Sequence, residues 1–173
     1  MDSRDIITAA KTDIILGEWT DDKIRARDFP MSMKTKGAYP LTRRWRWQVS
    51  TFSALGRRFR VLAAYHTDIP EYTSVLAEDL GSDSRILIRW EFHQSHAGWH
   101  AHPNCGDVDE IKPGVATHAA ELRLPAAQKS HRRKLFLNRG FAMDDTIAEA
   151  IACRRFGIPH NLDMLVSGAL PWN

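Results

Sequence analysis

RILIRWEFHQSHAGWHAHPNC, residues 85–105, is the stretch whose reading decides the fold. Ile86, Ile88, Trp90 and Phe92 alternate with Arg85, Arg89, Glu91 and His93, a period of two that predicts a half-buried strand. After Gly98 the alternation resumes, with Trp99 and Ala101 against His100 and His102. Ser95-His96-Ala97-Gly98 between them reads as a hairpin loop, with Gly98 supplying the unusual dihedral. That loop predicts Gln94 opposite Trp99, His93 opposite His100 and Glu91 opposite His102. Cross-strand neighbours on one face lie about 4.5–5.5 Å apart at Cβ. The expectation is therefore one polar patch of Arg89, Glu91, His93, His100 and His102, backed by an apolar face of Trp90, Phe92, Trp99 and Ala101.

Working upstream, TRRWRWQVSTFS at 42–53 predicts a strand with Trp45, Trp47, Val49 and Thr51 on one face and Arg44, Arg46, Gln48 and Ser50 on the other. Leu55-Gly56 is a turn. Residues 57–67 predict a second strand, with Phe59, Val61, Ala63 and Tyr65 opposed to Arg58, Arg60, Leu62, Ala64 and His66. For 70–80, Pro70 and the spacing of Tyr72, Val75 and Leu76 favour a helix, although Tyr-Thr-Ser-Val also suits a strand. Residues 4–16 read as a helix, from Ile6, Ile7, Ala10 and Ile14. The segment 27–40 reads as a loop punctuated by Pro30, Gly37 and Pro40. Downstream, 116–124 alternates as a strand would. Asp145 or Thr146, with Glu149 in capping-box register to Thr146, starts a helix that Gly157 ends. The fold class expected is α+β: an antiparallel β-meander of roughly four to five strands, packed on one face by N- and C-terminal helices. It forms a single domain over residues 1–173.

Summing the predicted faces gathers Arg44, Arg46, Arg58, Arg60, His66, Arg89, His93, His100 and His102 on one side, with Glu91 among them. So basic a face is an anion site by electrostatics, or else an ordinary solvated side of an antiparallel sheet. A short basic run, Lys129-Ser130-His131-Arg132-Arg133-Lys134, reads as a phosphate or nucleic-acid patch or as a solvated turn. The net charge of +3 permits an anionic partner without requiring one. No apolar stretch approaches the roughly 20 residues needed to span a bilayer, so no membrane partner is expected. Residues 1–19 contain acids and no uninterrupted apolar core, unlike a secretory leader. Two cysteines, Cys105 and Cys153, make no disulfide framework, and a reducing cytoplasmic location is expected.

The histidines admit three readings. His100 and His102 project the same way from one strand and could share zinc or another divalent metal, with His93, Glu91 or Cys105 completing a tetrahedral set. Alternatively, histidines near arginines can move protons at neutral pH while the arginines hold a phosphate, as a metal-independent ribonuclease requires. The third reading is a set of exposed histidines with no chemistry. Gly98-Trp99-His100-Ala101-His102 resembles the His-hydrophobic-His strand of rolling-circle HUH nucleases over these residues, and that resemblance implies a divalent ion at His100 and His102. The nucleophilic tyrosine of that family lies on a later helix, whereas Tyr39, Tyr65 and Tyr72 all lie upstream here. The HxH pair is also similar to that of cupins, with Pro113-Gly114 and His118 resembling part of their second motif.

No Walker loop, Rossmann fingerprint, GxSxG elbow or CxxC pair is present, so ATP hydrolysis, nicotinamide chemistry and serine hydrolysis have no support. The function expected is action on a phosphodiester, as a small histidine-dependent ribonuclease or nucleotide phosphodiesterase. His93, His100 and His102 would do the chemistry, Glu91 would orient a histidine, and Arg89 with Arg44, Arg46, Arg58 and Arg60 would hold phosphate. The alternatives are a non-catalytic module that binds nucleic acid or an acidic protein through the basic face, and a structural zinc domain.

Overall fold

A computed structural model describes residues 1–93, 98–104, 106–115, 122–123 and 143–160. Its centre is an open antiparallel sheet whose strands follow one another in chain order. They are β1 (Thr12–Ile15), β2 (Trp45–Ala54), β3 (Arg57–His66), β4 (Tyr72–Asp79), β5 (Ser84–His93), β6 (Gly98–Pro103) and β7 (Leu122–Arg123). Among the described residues, two α-helices flank it, α1 (Ser3–Thr8) and α2 (Asp145–Phe156). Six of these strands are four residues or longer, more than the four to five expected.

Two stretches differ from the sequence reading. Residues 70–80 form a strand, not a helix. β4 lies between β3 and β5 and is buried along most of its length, where the β-branched and aromatic Tyr72, Thr73 and Val75 pack better in a pleated sheet than in a helix. The first helix stops at Thr8 instead of continuing to 16. Asp2 caps its start in a reciprocal box with Asp5, and the Lys11 ammonium takes the carbonyls of Ile6, Ile7 and Ala9 at 2.8, 2.5 and 2.8 Å. Ile14 then joins β1. Of the strand expected over 116–124, Leu122–Arg123 is present as β7, and the remainder lies outside the described residues.

The Leu55-Gly56 turn is a two-residue hairpin with both φ values positive, 51° and 74°, the geometry that matches the right-handed twist of its strands. It sets Ala54 opposite Arg57, and hence Arg46 opposite Tyr65 and Thr51 opposite Arg60. Arg46 and Arg60 therefore lie on opposite faces, which overturns the expected union of Arg44, Arg46, Arg58 and Arg60 into one basic face. A second departure is in β5. Ala77 pairs with Ile86 and Leu76 with Ile88, so Leu87 is an extra residue that bulges the strand. Ile86 thereby falls on the face opposite Ile88, Trp90 and Phe92, not on theirs.

Both faces are covered. On one, Ile6 of α1 and Ala148, Ile151 and Phe156 of α2 share a buried cluster with Phe52, Phe59, Trp90, Phe92 and Trp99. The Tyr72 hydroxyl donates to the Ala148 carbonyl at 3.1 Å, and Arg46 donates through Nε and Nη2 to Asp145 at 2.9 and 2.7 Å. On the other face, Ile24, Phe29, Met31 and Tyr39 close over Trp47, Leu62, Val75 and Ile86. Asp144 caps α2 by accepting from Ile147 N–H, and Gly157 ends the helix in the left-handed conformation at φ 64°.

The Arg46–Asp145 pair gives an acid-sensitive element. The Arg46 guanidinium beside Asp145 holds its carboxyl below the usual carboxylate range, with the Tyr65 hydroxyl adding a hydrogen bond at 2.8 Å. A depressed folded-state pKa stabilises the protein above the unfolded value of about 3.9, and that contribution is lost as pH falls through the folded value. Because both side chains are about a third exposed, at 32% and 37%, the contribution is screened and amounts to about 1 kcal/mol. Melting temperatures of wild type and Asp145→Asn should differ at pH 7, and the gap should narrow as pH falls below about 4. A gap that does not narrow on acidification would show that the carboxylate charge is not its source.

Candidate active site

The strand pair β5–β6 brings Arg89, Glu91, His93, His100 and His102 to one face. Their register is shifted by two residues from the expected one: His93 pairs with Gly98, Glu91 with His100 and Arg89 with His102. A shift of two preserves every face, because side chains alternate with a period of two. His93 and His100 are therefore diagonal neighbours instead of direct ones, with ring centroids 4.6 Å apart, and those of His100 and His102 are 5.0 Å apart.

Glu91 is the hub. Its Oε2 lies 3.1 Å from Arg89 Nε, 3.6 Å from His100 Nε2 and 3.4 Å from His102 Nε2. The Thr73 hydroxyl, on the adjacent β4, donates to the other carboxylate oxygen at 3.3 Å. Ligand-capable atoms of Glu91, His100 and His102 all fall within 4.8 Å of one another. The side chains are largely withdrawn from water, at 17%, 5% and 13% exposed for Glu91, His100 and His102. Burial pushes the Glu91 carboxyl upward. The hydrogen bond from His100 and the charges of Arg89, His102 and His100 outweigh it, so the group stays below the usual range and remains a carboxylate.

Two of these separations suit a divalent ion, and the third is within 4.8 Å. Zinc–nitrogen and zinc–oxygen distances of about 2.0–2.2 Å in a tetrahedron put neighbouring ligand atoms about 3.4 Å apart. The two carboxylate-to-imidazole separations match that edge. Cys105, the sequence candidate for a further ligand, lies outside the described residues, as do Arg132, Arg133 and Lys134. Glu91, another of the candidates, lies beside the two histidines.

The arginines assigned to phosphate holding are dispersed. Arg44 lies outside the strands and pairs with Asp68 at 2.5 Å, and Arg46 faces α2. Arg60 is buried and paired with Asp79, which Arg58 approaches at 3.8 Å. Of Arg44, Arg46, Arg58, Arg60 and Arg89, Arg89 alone touches the described histidine cluster. Two residues that the sequence reading left out lie against it. Thr73 was hidden by the helical reading of 70–80. Tyr39 arrives from the 27–40 loop, and its buried phenol sits against Thr73, Arg89 and the Glu91 charge, with burial pushing its pKa up. No periodicity in the loop signals that contact. It follows from where the loop crosses the sheet.

No known protein-family model matches the chain, and no curated protein or solved structure is similar enough to match it. What the fold and site define is a class by geometry alone: an α+β protein with a carboxylate–histidine–histidine cluster on one face of an antiparallel sheet. No described helix is long and apolar enough to cross a membrane.

Proposed function

We propose that Glu91, His100 and His102 bind a divalent metal ion and that the protein uses it to hydrolyse a phosphodiester, in RNA or a nucleotide. The observation that carries this reading is the spacing of Glu91 Oε2 from the two imidazole Nε2 atoms, 3.6 and 3.4 Å, which is a tetrahedral ligand edge. Three protein ligands among the described residues leave a coordination position for water or substrate, the feature that separates catalytic from structural zinc sites. An ion held there supplies Lewis-acid polarisation and an acidified water. Arg89 and Thr73 orient the Glu91 carboxylate from outside the ligand set, as supporting partners do in metal sites. His93, against His100 but outside the three-residue cluster, is placed to move a proton to or from the reacting group.

The burial of the cluster favours a second reading, in which the ion is structural and the surface merely binds. Metal content separates the alternatives from metal-free chemistry. Full-length protein dialysed against zinc or manganese should retain about one equivalent per chain, as a single three-ligand site predicts. It should cleave single-stranded RNA or a cyclic nucleotide and lose that cleavage on addition of a chelator. Cleavage that survives complete removal of the ion would leave the histidines working alone. An ion retained without any cleavage would leave a structural centre.

A further inference from the structure

We infer that the cleft between residues 20–24 and 34–43 is a binding site for a nucleoside monophosphate or a ligand of the same chemistry. The cleft has a volume of about 590 Å³ and is lined by Asp21, Asp22, Lys23, Lys36, Arg43 and Trp47, with Ile24 and Leu41 completing its apolar part. A smaller lobe of about 290 Å³ shares Lys23, Lys36 and Leu41 and adds Lys34 and Tyr39. Sites for small organic ligands have volumes of about 300–1,000 Å³, with an apolar lining and a few placed polar groups.

Charge distinguishes this cleft from the sheet. Arg44, Arg46, Arg57, Arg60, Arg85 and Arg89 each have a carboxylate partner within ion-pair distance. Lys23, Lys34, Lys36 and Arg43 have none among the described residues, although Asp21 and Asp22 line the same cleft. Four cations against two carboxylates leave an excess positive charge in a concavity, where low-dielectric walls focus it. A phosphate monoester dianion matches that excess. Half-buried Leu41 offers apolar surface to a base, with only the narrow exposed edges of Trp47 and Ile24 beside it, and the exposed Asp21 and Asp22 can accept from ribose hydroxyl or base amino groups. A nucleoside monophosphate carries all three chemistries at once.

The walls are fixed before any ligand arrives. Thr20 and Trp47 exchange two backbone hydrogen bonds of 2.9 and 2.8 Å, and the Trp47 indole donates to the Asp22 carbonyl at 2.7 Å. On the other side, Met31 N–H donates to Gly37 O at 2.9 Å, Gly37 N–H to Lys34 O at 2.8 Å, and Tyr39 N–H to Phe29 O at 3.0 Å. Preorganisation of this kind reduces the ordering cost of binding. Tyr39 is also the side chain that sits against Arg89 and Glu91, so the cleft and the histidine cluster share a wall. The inference itself needs no ion in that cluster.

Titration calorimetry of the full chain against AMP, GMP, CMP and UMP, in buffer containing a chelator, tests it. At least one nucleotide should bind saturably. Lys36→Glu combined with Arg43→Glu should weaken it by about tenfold or more, the loss expected from charge-assisted hydrogen bonds. Circular dichroism should show an unchanged fold, because both residues are exposed. The chelator keeps ions out of the histidine cluster during these titrations, so failure of the metal reading would not be mistaken for failure of this one. The inference is overturned if no nucleotide binds, if inorganic phosphate binds as tightly as every nucleotide, or if the charge reversal leaves affinity unchanged.

Discussion

Glu91→Gln should abolish ion binding and lower phosphodiester cleavage by about 10²-fold or more, the scale seen when metal ligation or general acid–base groups are removed. Glutamine keeps the size and one carbonyl oxygen but loses the charge, and that oxygen is far the weaker ligand. Glu91 is also the group through which Arg89, His100 and His102 are held together, with Oε2 within 3.1–3.6 Å of all three. His93→Ala provides the contrast. It should leave about one equivalent of ion in place, because His93 is outside the ligand set. It should still reduce turnover, by about 10²–10⁴-fold if its imidazole moves the proton. Metal analysis beside a cleavage assay reads both variants. Equal loss of ion in the two would place His93 among the ligands, and unimpaired cleavage by Glu91→Gln would defeat the metal reading.

Gly157→Ala should destabilise the fold by about 3 kcal/mol, combining the cost of an L side chain at positive φ with a clash against backbone. Gly157 has φ 64°, and a Cβ built there lies 2.2 Å from the Ile7 carbonyl oxygen and 3.1 Å from Lys11 Nζ. The carbonyl cannot retreat cheaply, because it accepts from the same Lys11 ammonium that closes α1. The substitution therefore strains the end of α2 and the end of α1 together. Urea unfolding measures the loss as a fall in midpoint with little change in slope. A cost under about 0.5 kcal/mol, typical of an innocuous surface change, would mean that the two helix ends part without penalty.

Much of this architecture was legible in the sequence. The alternation in 42–53, 57–67, 85–93 and 99–102 locates β2, β3, β5 and β6, and Gly157 marks the end of α2. The convergence of Glu91, His100 and His102 survived an error in register because the error was an even number of residues. The basic face did not survive, and the information that breaks it was already present. A two-residue turn at Leu55-Gly56 places even-numbered residues of β2 opposite odd-numbered residues of β3, which sends Arg46 away from Arg58 and Arg60. β4 was harder, since a short apolar run with Pro at its start satisfies helix and strand patterns alike, and only its neighbours decide. Tyr39 was beyond reach. A loop residue carries no periodic signal of the sheet face it will cross.

The bulge at Leu87 sets the parity of β5. Before it, even-numbered Ile86 faces the loop side of the sheet; after it, odd-numbered Arg89 and Glu91 do. Deleting Leu87 while keeping the pairing on either side would leave Ile86 opposite Ala77 and Ile88 opposite Leu76, a regular alternation that keeps Arg89 and Glu91 on the loop side. The bulge thus absorbs one residue of the strand without turning the site over. In a related chain lacking that residue, the cluster is preserved as long as Arg89 stays opposite Val75 and Glu91 opposite Thr73.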